Sequence, residues 1–224
     1  DPAHQLWFWM KRHFIFGRSV FASGVSTEVN TRIDILVLGM FVNDAAVGVY
    51  SFVSMLVEGF YRLLVVVKNN INPILAKLIH ERKISELKQF TNRVFLASFF
   101  GILIFSITLF FLYPLAIEIF GVAQKLAGST LILGVLLGFM VLVSGWFPFD
   151  QILSQAGEPL ASSYMYITVM LFNLAGNLAL VPVIGVLGAA VATGTSWLIL
   201  AFILNVKVLR IIKINLFPLS RTET

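Results

Sequence analysis

Five ionisable side chains lie inside or beside stretches that are otherwise apolar. Glu28, Arg32 and Asp34 fall within seven residues just before an apolar run, and Glu58 and Arg62 lie four residues apart inside the next one. Carboxylates bind cations or protons, whereas the guanidinium group of arginine donates paired hydrogen bonds to phosphate or carboxylate. These residue types at these spacings point to charge recognition within an apolar environment.

The composition identifies that environment as a lipid bilayer. The chain has 224 residues, of which 58% are hydrophobic and 12% charged, and its mean hydropathy is +0.92. A soluble domain is about 25% charged, so these values predict an integral membrane protein. The sequence contains no cysteine, which excludes disulfides and thiolate metal sites.

Apolar stretches long enough to cross a bilayer recur along the chain. A transmembrane helix needs about 20 mainly apolar residues, and six segments reach that length: 20–41, 46–76, 94–113, 129–149, 160–181 and 185–206. Residues 1–19 are predicted to be a cytoplasmic, juxtamembrane lead-in, and 207–224 a basic cytoplasmic tail. The predicted fold is an all-α integral membrane bundle of six transmembrane helices, with residues 1–224 forming one unit.

The basic residues predict the orientation of this bundle. With six spans, both termini share one side with the loops near 77–93 and 150–160, and 12 of the 16 lysine and arginine residues fall on that side. The positive-inside rule then predicts a multi-pass plasma-membrane protein (inner membrane in a Gram-negative bacterium) with both termini in the cytoplasm. The basic charge follows from topology, so nucleic acid is not expected as a partner.

Residues 77–93, between the second and third spans, have two interpretations. Ile79, Ile84, Leu87 and Phe90 would rest on the membrane interface if the segment were an amphipathic helix. The alternative is a solvated loop that carries positive charge on the cytoplasmic side.

Polar side chains in the first two spans form helical stripes. At about 100° per residue, Ser54, Glu58 and Arg62 share one face of the second span, with Lys68 at its edge. The first span carries a stripe of its own, formed by Ser23, Thr27, Asn30 and Asp34. Glu28 and Arg32 lie on nearly the opposite face of that helix.

The energetic cost of buried charge limits the interpretation of these stripes. A charged side chain at the bilayer centre costs roughly 2.5–3.5 kcal/mol, so the groups must pair, reach the interface or line a hydrated cavity. Lys68 and Glu28 are candidates for reaching the interface. Two hypotheses stay open: the pairs Glu28–Arg32 and Glu58–Arg62 only hold helices together, or the stripes line a transporter cavity. The predicted cavity residues are Glu28, Asn30, Arg32, Asp34, Ser54, Glu58, Arg62 and Lys68.

The last two spans carry patterns typical of helix packing in membranes. Gly188, Ala192 and Ser196 recur at every fourth position, and small residues at this spacing let helix backbones approach closely. Asn173 and Asn177 lie one turn apart and are predicted to hydrogen-bond to a partner helix, with a role in the cavity as the alternative.

Two motifs resemble a known family. Residues 32–52 read RIDILVLGMFVNDAAVGVYSF and residues 177–197 read NLALVPVIGVLGAAVATGTSW. They resemble the polysaccharide transporter family of the multidrug/oligosaccharidyl-lipid/polysaccharide flippase superfamily, which includes O-antigen and exopolysaccharide repeat-unit flippases. The resemblance lies in the C-terminal half of such proteins. Since the chain opens without an initiator methionine, we expect it to be a piece of a longer protein.

The resemblance implies one lobe of a two-lobe (6+6) transporter, with the substrate cavity between the lobes and bordered by the first two helices. It implies a flippase that exports a lipid-linked oligosaccharide by alternating access. The implied partners are membrane lipids, the lipid-linked glycan, the missing N-terminal lobe, and glycan polymerases and glycosyltransferases. The arginines would contact the anionic headgroup. The carboxylates would hold the arginines or take up a coupling proton or sodium ion, and no other cofactor is expected.

Other functions remain as alternatives. A multidrug or organic-cation antiporter of the same superfamily favours an acidic cavity, whereas the spans hold three carboxylates and three basic groups. A non-transporting membrane assembly subunit would have its charges paired off. A membrane-embedded enzyme is not expected, because the spans contain no histidine and no closely spaced acidic pair. The Gly-x-x-x-x-Gly-Lys-Ser/Thr phosphate loop is also missing from the sequence.

Overall fold

A computed structural model describes the backbone of residues 2–216, together with their side chains except at 2–4, 12, 15, 16, 18–20, 22, 23 and 27. The last part of the predicted basic tail, with Arg221, lies outside the described residues. The side chains of Ser23 and Thr27, which belong to the predicted stripe of the first span, are outside them as well.

The described part of the chain is mainly helical and contains no strand. Its α-helices, in order, are α1 (Pro2–Asn30), α2 (Ile33–Phe41), α3 (Asp44–His80), α4 (Ile84–Ile119), α5 (Ser129–Val143), α6 (Ile152–Gln155), α7 (Pro159–Ile184) and α8 (Val186–Ile211). One turn of 3₁₀-helix, Phe147–Phe149, lies between α5 and α6. The all-α prediction is confirmed for this part of the chain.

Four helices, α3, α4, α7 and α8, are long and apolar enough to cross a membrane. A fifth span is present if α5 and the segment Phe147–Gln155, which bends away from it by 58°, count as one broken helix. The structure therefore supports a multi-pass membrane protein. It does not confirm the predicted count of six spans, because residues 20–41 do not form one continuous helix.

The first predicted span is interrupted at Thr31 and Arg32. The backbone N–H groups of these two residues bond three residues back, to the carbonyl oxygens of Glu28 and Val29, and α2 then begins at Ile33. Neither α1 nor α2 meets the length and hydropathy required of a span within the described residues. The break places Asp34 in the first turn of the short, apolar α2.

Residues 77–93 do not form one amphipathic helix, and only residues 81–83 between α3 and α4 form an exposed, charged turn. The segment is the far end of a helical hairpin, since α3 runs on to His80 and α4 starts at Ile84. Leu87 is fully buried and belongs to the core of the protein. In the tight turn between the helices, Lys83 donates a hydrogen bond to Glu81, and this contact lowers the pKa of the Glu81 carboxyl. At 37 residues and about 1.5 Å per residue, α3 exceeds the bilayer core, so its end projects beyond the hydrocarbon.

The break after α5 has identifiable causes. Pro148, the second residue of the 3₁₀ turn, lacks a backbone N–H group and cannot continue the hydrogen bonding of α5. Gly145 lies directly under the ring of Phe95, whose atoms come within 2.5 Å of the position that a Cβ at Gly145 would take. Phe95 also packs edge-on against Trp146, with the ring centroids 4.7 Å apart. This packing fixes the turn that carries Asp150 towards α3.

The predicted close packing of small residues on α8 is confirmed. Ala192 and Ser196 are almost fully buried. Gly185 has a φ of +59° in the turn between α7 and α8, a conformation that glycine adopts readily. A Cβ at Gly188 would lie 2.5 Å from the carbonyl oxygen of Leu180 on α7, so the two helix backbones approach more closely than a larger residue permits.

Candidate functional site

A partly open cavity of about 120 Å³ lies among α1, α2, α3, α5, α7, α8 and the 3₁₀ turn. Four of the predicted site residues line it, namely Asn30, Asp34, Ser54 and Glu58. Its wall is mainly apolar and aromatic, and includes Tyr61, Leu136, Met140, Phe147, Asp150, Tyr166 and Trp197. The cavity therefore combines an apolar wall with a few polar groups, which is typical of a ligand-binding site.

Asp34 is the most enclosed of the four, with 3% of its surface exposed. Its carboxylate accepts hydrogen bonds from the Tyr50 hydroxyl, from the Thr193 hydroxyl at 3.4 Å and from the backbone N–H of Ile35 at 2.9 Å. None of the described ion pairs includes Asp34. A buried carboxylate without a basic partner needs a proton or a cation to offset its charge, so Asp34 is the group best placed to take up either.

The charged residues of the predicted pairs lie on the outside of the bundle. The structure does not form the pair Glu58–Arg62 that helical spacing suggested. Instead, Glu58 faces Arg32 on the preceding segment, with an N–O distance of 3.9 Å and side chains that are 33% and 57% exposed. Arg62 and Glu28 are exposed, and no ion pair is found for either among the described residues. These four residues form what we call the outer charged face.

Lys68 behaves differently from its prediction. It does not reach the interface: its side chain is 10% exposed and its ammonium lies 3.0 Å from Oδ2 of Asp150, which is itself 5% exposed. Oδ1 of Asp150 has no hydrogen-bond partner. The backbone oxygen of Asp150 accepts a hydrogen bond from Tyr166 at 3.3 Å. The site thus contains a second buried carboxylate, and this one has a permanent counter-charge.

The size of the cavity decides what it can hold. Binding pockets for drug-sized molecules are about 300–1,000 Å³, whereas a single buried water needs only about 10–15 Å³ of such space. A cavity of about 120 Å³ accommodates several waters or a small cation, and it is smaller than the pockets that hold drug-sized molecules. Most of the predicted site residues therefore line the small cavity or belong to the outer charged face, and Glu58 at the rim of the cavity belongs to both.

Hydrogen bonds between asparagine side chains link α7 to Asn30 at the end of α1, beside the cavity. The amide of Asn173 on α7 donates to the side-chain oxygen of Asn30 at 3.0 Å, and Asn177 donates back to Asn173. Both α7 asparagines are fully buried. The prediction that they bond to a partner helix is confirmed for Asn173, which holds the end of α1 against α7.

Replacing Asn173 with alanine is expected to destabilise the protein by about 0.6–2 kcal/mol, the range of interhelical hydrogen bonds in membranes. A thermal unfolding measurement on the purified protein tests this. Thr168→Ala is the matched control, because the Thr168 hydroxyl bonds only to the carbonyl of Tyr164 on its own helix. Equal melting temperatures for the two variants would show that the link to α1 contributes nothing.

Several residues of the site were missed from the sequence. Asp150 was assigned to a cytoplasmic loop, and Tyr50 and Thr193 were not considered as partners of Asp34. One feature of the sequence could have identified Asp150. It directly follows Trp-Phe-Pro-Phe, an apolar segment whose proline interrupts a helix. No grouping of three or more histidine or acidic side chains suited to a metal occurs among the described residues.

Comparison with known proteins places the chain in a family. Residues 25–179 match the MatE family model. This match covers most of the chain, from the end of α1 through most of α7. No curated protein and no solved structure matches the chain.

Proposed function

This chain belongs to the MatE family, a family of transporters within the multidrug/oligosaccharidyl-lipid/polysaccharide flippase superfamily, and from that membership we propose that it is one lobe of an exporter of lipid-linked oligosaccharide. The second lobe is the missing N-terminal half, and six spans from each lobe surround a central cavity. Rocking of one lobe against the other alternates access to the two sides of the membrane.

The outer charged face carries this proposal. Arg32, Glu58 and Arg62 project from the surface of otherwise apolar segments, where contact with acyl chains would cost several kcal/mol per group. A water-filled space shared with a second lobe removes that cost. The diphosphate and sugars of the substrate pass through this space while the lipid tail remains in the bilayer. Arginine suits a diphosphate because its planar fork donates two hydrogen bonds at once.

Asp34 is the proposed binding site for the proton or sodium ion whose gradient drives transport. Its carboxylate is buried, accepts hydrogen bonds from hydroxyl groups and has no basic partner among the described residues. A proton or sodium ion that binds there changes the charge of the cavity, and the two charge states then favour different positions of the lobe. The proposed location is the plasma membrane, with both termini in the cytoplasm, beside the glycosyltransferases and polymerase that make and use the glycan.

An organic-cation antiporter of the same superfamily is the second candidate. One observation favours it: of the three carboxylates on the cavity and its rim, Asp34 has no basic partner and Glu58 has only a long contact to Arg32. Such an acidic surplus would attract a cationic drug. Both candidate functions use the binding of a proton or sodium ion at Asp34. They differ in the substrate that contacts the outer charged face.

Replacing Arg32 and Arg62 together with alanine is expected to slow the flipping of a labelled lipid-linked glycan in proteoliposomes. Hydrogen bonds to charged groups contribute about 1.5–3 kcal/mol each, so loss of one contact alone weakens binding about 10- to 150-fold. Arg210→Ala, which removes an exposed arginine from the last turn of α8, is the matched control. Unchanged glycan flipping together with altered efflux of an organic cation would instead favour the antiporter.

A further inference from the structure

The two buried carboxylates of the cavity are neutralised in different ways. Asp34 interacts with hydroxyl groups, whereas Asp150 pairs with the ammonium of Lys68 at 3.0 Å. Both carboxylates line the same small cavity. Asp34 has hydrogen-bond donors but no basic partner, whereas Asp150 has a basic partner and one oxygen without a hydrogen-bond donor.

Asp150 has one carboxylate oxygen that the ammonium of Lys68 does not use. Oδ1 of Asp150 and Oδ1 of Asn72, one turn after Lys68 on α3, are buried and lack hydrogen-bond partners. Asn72 also bonds to Gln151 at 3.2 Å, which holds the segment after the 3₁₀ turn beside α3. Carboxylate and amide oxygens are the ligands that hard cations take, and of these residues Asp150 lines the cavity.

We infer that Lys68 is a tethered cation, which occupies a site that Asp150 would otherwise offer to an alkali cation such as sodium or lithium. The ammonium supplies the same single positive charge as those ions, and it cannot leave because it belongs to the chain. The site is therefore permanently filled in the native protein. Removing the lysine opens it, since an uncompensated buried carboxylate is strongly unfavourable and the cavity admits a small ion.

This arrangement has a consequence for coupling, which rests on the proposed function. Lys68 compensates the charge of Asp150. Among the described residues that line the cavity, this leaves Asp34 as the buried carboxylate that can exchange a proton or an ion. The lobe then couples transport to one positive charge per cycle. Lys68 determines this number without touching the substrate.

Cation binding, rather than transport, tests the inference, so that a failure of the proposed function does not decide the result. The full-length protein is purified with the substitution Asp34→Asn, which removes the charge of the other buried carboxylate. Its melting temperature is then compared between sodium or lithium chloride and choline chloride of equal ionic strength. Asp34→Asn alone is expected to show no difference between the salts. Adding Lys68→Met is expected to raise the melting temperature in sodium or lithium by about 5–10 °C at roughly 100 times the Kd.

Two further variants make the comparison specific. Adding Asp150→Asn to the Lys68→Met protein is expected to remove the sodium effect, because it removes the anionic ligand. Lys77→Met, which removes a lysine with a 71% exposed side chain from the same helix, is expected to leave the response at the Asp34→Asn level. The inference is overturned if Lys68→Met gains no sodium or lithium response, if that response survives Asp150→Asn, or if Lys77→Met gains it too. Failure of the Lys68→Met protein to fold in sodium and lithium also overturns it, since the ion should replace the ammonium.

Discussion

Replacing Asp34 with asparagine is expected to abolish gradient-driven transport while leaving the protein folded. Asparagine has nearly the shape of aspartate and keeps an oxygen that accepts the hydrogen bonds of Tyr50 and Thr193. It has no charge and no titratable proton, so it takes up no proton and gives a bound cation no counter-charge. Because the change also removes a buried charge without a basic partner, we expect the melting temperature to stay the same or rise.

Transport by the Asp34→Asn protein is measured in proteoliposomes with an imposed proton or sodium gradient, and we expect it to fall to the level of protein-free vesicles. Asp44→Asn is the matched control, since Asp44 is an exposed carboxylate at the first turn of α3. This control should retain its transport. Full gradient-driven transport by Asp34→Asn would remove Asp34 from coupling and leave the buried hydroxyl–carboxylate cluster with a structural role alone.

Replacing Gly188 with alanine is expected to lower the stability of the protein. The new methyl group would lie 2.5–2.8 Å from backbone atoms of Leu180 and Val181 on α7, and backbone in a packed helix pair does not move aside cheaply. Overpacking of this kind costs about 1–3 kcal/mol. It outweighs the gain of up to about 1 kcal/mol that alanine offers over glycine within a helix. The loss is measured as a lower melting temperature in detergent.

Gly138→Ala on α5 is the matched control for this change. A Cβ at Gly138 meets nothing within 4 Å, so the helix propensity of alanine acts alone and stability should stay the same or rise slightly. Equal losses for the two variants would mean that the close approach of α7 and α8 does not account for the effect.

The broad architecture was predictable because it depends on local sequence. Uninterrupted apolar runs such as 94–113 and 185–206 fall within α4 and α8, since a helix satisfies its own backbone hydrogen bonds in lipid whatever surrounds it. The small-residue face around Gly188 follows from the same periodicity. These properties require only the spacing of residues along one helix.

The first span shows where local sequence is insufficient. Residues 20–41 are apolar enough overall to suggest one helix, yet the backbone breaks at Thr31 and Arg32. The break places Asp34 beside Tyr50 of α3 and Thr193 of α8, and the hydrogen bonds between these side chains stabilise the interrupted backbone. No periodicity within residues 20–41 contains that information.

The sequence by itself determined which charges share a helix face, and with it the prediction of a polar site on the first two spans. Only the tertiary structure decided the partners: Glu58 meets Arg32 rather than Arg62, and Lys68 meets Asp150, 82 residues further along the chain. The physical reason is that helical spacing fixes the direction in which a side chain points. The group it meets there, and hence whether its charge is compensated or left to bind an ion, depends on how distant helices pack.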